Sequence, residues 1–145
     1  MRTHNFLRQI EHDRVTNAIK AAEAKTSGQI RVFLQRGKFE EDALARAQQK
    51  FVQLGMDKTA ERNAVLIFVA PREQKFAVIG DEGVHQKCGD QFWNDLVARM
   101  REHFLREDFT QALVEAIEST GDLLARYFPR TGPATNELPD EIVEG

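Results

Sequence analysis

The chain has 145 residues, 41% of them hydrophobic and 30% charged, with a formal net charge of −3. That length and composition fit one globular domain with a real core and argue against disorder. The seventeen residues from Pro129 onward hold Arg130 against Glu137, Asp140, Glu141 and Glu144, so the first 128 residues carry 19 charges of each sign and a generally basic nucleic-acid binder is excluded.

In chain order, apolar residues at Phe6, Leu7, Ile10, Val15, Ala18, Ile19 and Ala22 predict an amphipathic helix over 5–25, ended by Thr26-Ser27-Gly28. QIRVFLQ (29–35) alternates Ile30, Val32 and Leu34 against Gln29, Arg31 and Gln35, which predicts a strand, with Phe33 giving its second face some apolar character. Leu44, Ala47, Phe51 and Leu54 mark a second helix that Gly55 stops. AVLIFVA (64–70) is a continuous apolar run closed by Pro71 and reads as a buried central strand. KFAVIG (75–80) follows after four residues, too few for a helical crossover, so these two strands should be antiparallel. Two helices follow, one marked by Phe92, Trp93, Leu96, Val97, Met100 and Phe104, the other by residues from Phe109 to Phe128, with Asp108 as its expected N-cap. Arg99, Arg101, His103 and Arg106, interleaved with Glu102 and Glu107, read as a solvated face.

The order α-β-α-β-β-α-α makes the fold class α/β, a single-domain αβα sandwich with a mixed sheet over 1–128. Residues 129–145 form an acidic tail whose prolines and polar bias predict no regular structure. Its Leu138, Ile142 and Val143 nevertheless have the spacing to dock on an apolar groove of the domain. The single cysteine, Cys88, excludes an internal disulfide and fits a reducing, cytoplasmic setting. No apolar run approaches a membrane span, and the first residues do not form a signal sequence.

Several chemistries are missing from the sequence. There is no phosphate-binding P-loop, and no arginine six residues beyond Cys88 to make a thiolate phosphatase loop. The four histidines lack zinc spacing, and neither Ser27 nor Ser119 lies in a nucleophile elbow. What remains is Gly80-Asp81-Glu82-Gly83-Val84-His85, with Asp90 five residues beyond His85. Its carboxylates would repel a free phosphate, so the segment reads either as a hard-oxygen site for a divalent cation or as the cap of the next helix. The hairpin should set Asp81 beside Arg62 and Asn63, and the parallel pairing should bring Ser27-Gly28-Gln29 to the same rim. That rim is opposite the carboxyl ends of the parallel strands, where ligands of open α/β sheets usually bind.

AEAKTSGQIRV, LGMDKTAERNAVLIFVA, KFAVIGDEGVHQK, DQFW and NELPDEIV together resemble the short bacterial branch of the TPM domain family. The resemblance implies an α/β sandwich, a divalent-metal site with calcium first, and a phosphatase activity for which the sequence offers no complete catalytic set. It also implies association with membrane proteins of the LemA family, without a span of its own. Carried over, the family's Gly-x-Glu segment and later Asp fall on His85 and Asp90, with Asp81 in the GD turn and Glu82 beside it. Gln29 stands where an acid is frequent, and Ala64 where Gly is frequent. A glutamine carbonyl can still serve as a ligand, so the expected site is Asp81, Glu82, His85 and Asp90, with Gln29, Arg62 and Asn63 at its rim.

Overall fold

The computed structural model describes residues 11–71, 73, 75–130 and 142–144. Helix α1 spans His12–Glu23, strand β1 Gln29–Leu34, helix α2 Ala43–Gln53 and a 3-10 turn Met56–Lys58. Strand β2 spans Ala64–Ala70, β3 Lys75–Gly80, helix α3 Glu82–Leu105, α4 Phe109–Tyr127, and a short β4 Val143–Glu144. The expected order of elements is therefore present, with β4 added. The part of the first helix expected over 5–10 lies outside the described residues, as does Leu138.

One four-stranded sheet runs β3-β2-β1-β4. β1 and β2 are parallel from Gln29↔Ala64 to Leu34↔Val69. β2 and β3 are antiparallel, closing at Ala70↔Lys75 as the short connection requires. Side chains of successive strand residues point to opposite faces, and each face has its own core. Ile30, Val32, Leu34, Val65, Ile67 and Val69 pack with α1, α3 and α4 residues such as Ile19, Leu96, Met100, Leu113 and Ile117. Phe33, Leu66, Phe68 and Ala77 pack with Ala47 and Phe51 of α2 and with Met56 of the 3-10 turn. Three helices thus cover one face and one helix the other, which makes the αβα sandwich. Burying each large aliphatic side chain contributes about 1.5–3 kcal/mol.

Three differences from the sequence reading have physical reasons. All six residues of β1 are buried, including Gln29 and Arg31, because β1 lies inside the sheet between β2 and β4 and its Phe33 packs in the α2-side core. α3 begins at Glu82 and bends at Gly89, whose φ of 71° and ψ of −176° belong to a region only glycine enters easily. The tail is not wholly irregular: Val143 pairs with Phe33 and Glu144 with Leu34, in parallel to β1. That pairing covers an edge of β1 that would otherwise stay open, and Ile142 and Val143 pack on the two cores.

Candidate functional site

The start of β2 and the end of β3 are neighbours by antiparallel pairing, and the start of β1 joins them by parallel pairing. The polar residues flanking these ends form one rim. Asp81 stands at the N-cap of α3, buried, and its Oδ1 accepts the Glu82 N–H at 2.8 Å. The Arg62 guanidinium donates to it twice, Nε to Oδ2 at 2.7 Å and Nη2 to Oδ1 at 2.9 Å. This bidentate contact holds the guanidinium charge more firmly, so Asp81 pushes the Arg62 pKa up, aided by Glu82 and Asp57. Arg62 itself adopts a positive φ of 53°. The backbone carbonyls of Glu61 and Arg62 come so near Gly83 that a β-carbon there would lie 2.6 Å from each. Glycine at 83 is what allows the helix start to approach the loop before β2.

Beside this pair lies a second network. Asn63 is fully buried, and its Nδ2 donates to Ser27 Oγ at 3.1 Å and to Glu61 Oε2 at 3.2 Å. Ser27 also donates to Glu61. The Asn63 N–H reaches Thr59 Oγ1 at 3.3 Å, and its carbonyl accepts from the Gln29 N–H at 3.4 Å. Among the described residues, buried Asn63 Oδ1 and Asp57 Oδ1 have no hydrogen-bond donor. Gln29 lies buried beneath the rim rather than on it.

The expected residues therefore separate into groups. Asp81, Glu82 and Arg62 are together, with Glu82 Oε1 3.7 Å from Arg62 Nη1. Asn63 and Gln29 lie under them. His85 and Asp90 pair with each other at 3.5 Å across the Gly89 bend, both largely exposed, and line a different surface beside β3. Among the described residues no three His, Cys, Asp or Glu side chains are gathered as a ready cation cage. The capping function read for Asp81 is realised, and both of its oxygens are occupied by protein donors. Besides Asp81 the rim carries oxygen atoms of Glu82, Glu61, Asp57 and Asn63, of which Glu61 Oε2 already accepts from Ser27 and Asn63, and Arg62 is its positive charge.

Sequence reasoning did not single out Glu61 or Asp57. Glu61 directly precedes Arg62 in MDKTAERN, and an acid beside an expected rim arginine is the signal that could have found it; Asp57, five residues before Arg62, carries no such signal. His103 also departs from the solvated face: its Nε2 lies 2.8 Å from Glu115 Oε2 on α4, whereas Arg99, Arg101 and Arg106 are exposed. Asp108 occupies the N-cap position of α4 without a side-chain cap bond. Its carboxylate instead lies 3.9 Å from His103.

The sequence matches the TPM domain profile over residues 1–123. No curated protein matches it. Among solved structures, the BA42 protein of the psychrophilic bacterium Bizionia argentinensis is similar at 38% identity and a TM-score of 0.86, over 93% of this chain and 92% of that one. The N-terminal domain of the cg2496 protein of Corynebacterium glutamicum is similar in fold alone, at 19% identity and a TM-score of 0.60, over 80% of this chain and 74% of that one.

Proposed function

The chain belongs to the TPM domain family, and from that premise we propose that it is a divalent-cation-binding module, calcium first, acting at the rim around Arg62. The observation that supports this reading is charge: the Asp81 and Glu82 carboxylates share the single Arg62 guanidinium, at 2.7 and 3.7 Å. Glu61 and the donor-free Asn63 Oδ1 add hard oxygen atoms beside it. A cation would be held weakly, in the range of about 10⁻⁴–10⁻³ M, because few ligands are prearranged and Arg62 opposes it. Of the sites named by the sequence, Asp81 and Glu82 belong to this rim, while His85 and Asp90 would serve only an ion bound at the bend.

The test is a calcium titration followed by amide chemical shifts. Localised shifts at 57, 61–63 and 81–83 are expected at millimolar calcium, and Arg62→Ala should tighten binding roughly tenfold by removing the competing charge. Calcium without localised shifts in either protein would overturn the reading. Phosphatase activity is the extension the family name suggests, and it would need water activated by a cation at the rim. Turnover of p-nitrophenyl phosphate that requires the cation and is lost in the double change Glu61→Gln, Glu82→Gln would support it; activity unmoved by that change would point to a contaminant.

A second reading, a non-enzymatic module that binds a protein partner, is favoured by the edge of the sheet at β3, which no strand among the described residues covers. Its partner would be membrane-associated, of the LemA type. Among the described residues no helix is long and apolar enough to cross a membrane, so the partner would supply the attachment. The lone Cys88 supports a reducing cytoplasmic compartment for either reading.

A further inference from the structure

β3 ends the sheet, and among the described residues no strand pairs with its outer side. The Asp81 N–H bonds the Ala64 carbonyl at 2.9 Å, which fixes the phase of the antiparallel ladder. Residues 81, 79, 77 and 75 turn their backbone groups to β2, so Phe76, Val78 and Gly80 turn theirs to the open side. Natural sheets normally blunt such an edge with inward charges, proline or a covering element. Here the strand between Lys75 and Asp81 is apolar throughout.

The edge is the floor of a groove of about 690 Å³, walled by Leu44 and Gln48 of α2 and by Trp93 and Val97 of α3. Leu44 is 51% exposed although it is apolar, and Trp93 is only half buried, its ring set against Gly80. Phe76 also lines a second hollow, whose wall includes Lys75, Arg101 and Arg106 with one carboxylate, Glu107. At the opposite end are His85 and Asp90. The groove is thus basic where β3 begins and carries a carboxylate where β3 ends.

We propose that this edge takes an extended segment of a partner protein as a fifth strand, antiparallel to β3, with alternate apolar residues and an acidic C-terminal end. An antiparallel segment starts near Asp90 and ends among Lys75, Arg101 and Arg106, so its acidic end meets the basic hollow. Backbone bonds to Phe76, Val78 and Gly80 supply affinity, and the walls of Leu44, Trp93 and Val97 select its side chains. The opposite edge of the sheet already shows this chemistry within the chain. There a short segment pairs with β1 and its Glu144 lies 3.4 Å from Arg36. The proposal rests on the partner-binding reading and is independent of the cation rim.

Trp93 is the only tryptophan, so its fluorescence reports on the groove. The probe is a short synthetic peptide alternating Thr and Val and ending in a pair of glutamates. Expected are a saturable change in Trp93 emission and amide shifts at Phe76, Val78 and Gly80. Affinity should fall about tenfold or more when the peptide is N-methylated at alternate residues, since that removes backbone donors and leaves the protein untouched. Replacing the terminal glutamates by lysines, or Arg101→Glu in the protein, should weaken binding as well. Equal binding of the N-methylated peptide, or shifts confined to helix surfaces, would overturn strand addition while leaving a partner-binding role in place. No binding at all would overturn both. Sedimentation equilibrium showing a dimer that protects the same three amides would assign the edge to a second copy and overturn the proposal too.

Discussion

Asp81 carries two loads at once: it receives a bidentate guanidinium and caps a helix of 24 residues. Asp81→Asn keeps the shape but loses the charge that both contacts use, so it should lower stability by about 1–2 kcal/mol, measured by denaturant unfolding. An unchanged unfolding midpoint would show that the pair contributes nothing beyond its geometry. Cys88 offers a second residue-scale test. Burial pushes its thiol pKa up, and Asp90 adds to that. A raised pKa means less thiolate at any given pH, so alkylation by iodoacetamide at mildly alkaline pH should lag behind a free thiol and recover as pH rises. The sequence placed Asp81 beside Arg62 through pairing alone, and the structure joins them. It could not show that Arg62 would occupy both carboxylate oxygens, because that depends on the rotamer of a side chain 19 residues away.

At the scale of elements, the strands were the most legible part. β2 and β3 fall on the runs 64–70 and 75–80 because a buried strand needs a continuous or near-continuous apolar stretch. β1 was legible in position but not in environment: Gln29 and Arg31 look like solvent positions in the sequence, yet both are buried in the fold. The bend of α3 was hidden for a different reason. A glycine within a helical pattern is ambiguous, and only the backbone angles show that Gly89 changes the helix direction. Gly89→Ala meets no atom within 4 Å, so its whole cost is conformational. It should destabilise by about 1–3 kcal/mol in thermal unfolding, and no loss would mean that the bend relaxes without penalty. Gly121→Ala is the steric counterpart, since its β-carbon would come 2.6 Å from Ala22 Cβ where α4 crosses α1. Forcing those helices apart should cost about 1–3 kcal/mol, and the double change with Ala22→Gly should recover most of it in the same assay.

For the whole molecule, the net charge separates into a balanced body and an acidic tail, and the tail is not merely appended. Glu144 reaches Arg36 and Val143 pairs with Phe33, so part of the tail's charge and apolar surface is used on the domain. Deleting residues 133–145 should lower stability by about 1–2 kcal/mol from the lost burial of Ile142 and Val143, visible as a fall in Tm. An unchanged Tm would mean that the β1 edge is as stable uncovered. By itself the sequence determined the elements up to the last helix, the antiparallel hairpin, the helices on the sheet and the charge-neutral body. Each of these follows from periodicity and short connections, which are local. The tertiary structure alone decided which oxygens of the rim are already taken, that β1 is buried on both faces, and that among the described residues β3 rather than β1 is the open edge. Those depend on contacts between segments far apart in the chain, whose geometry no local pattern encodes.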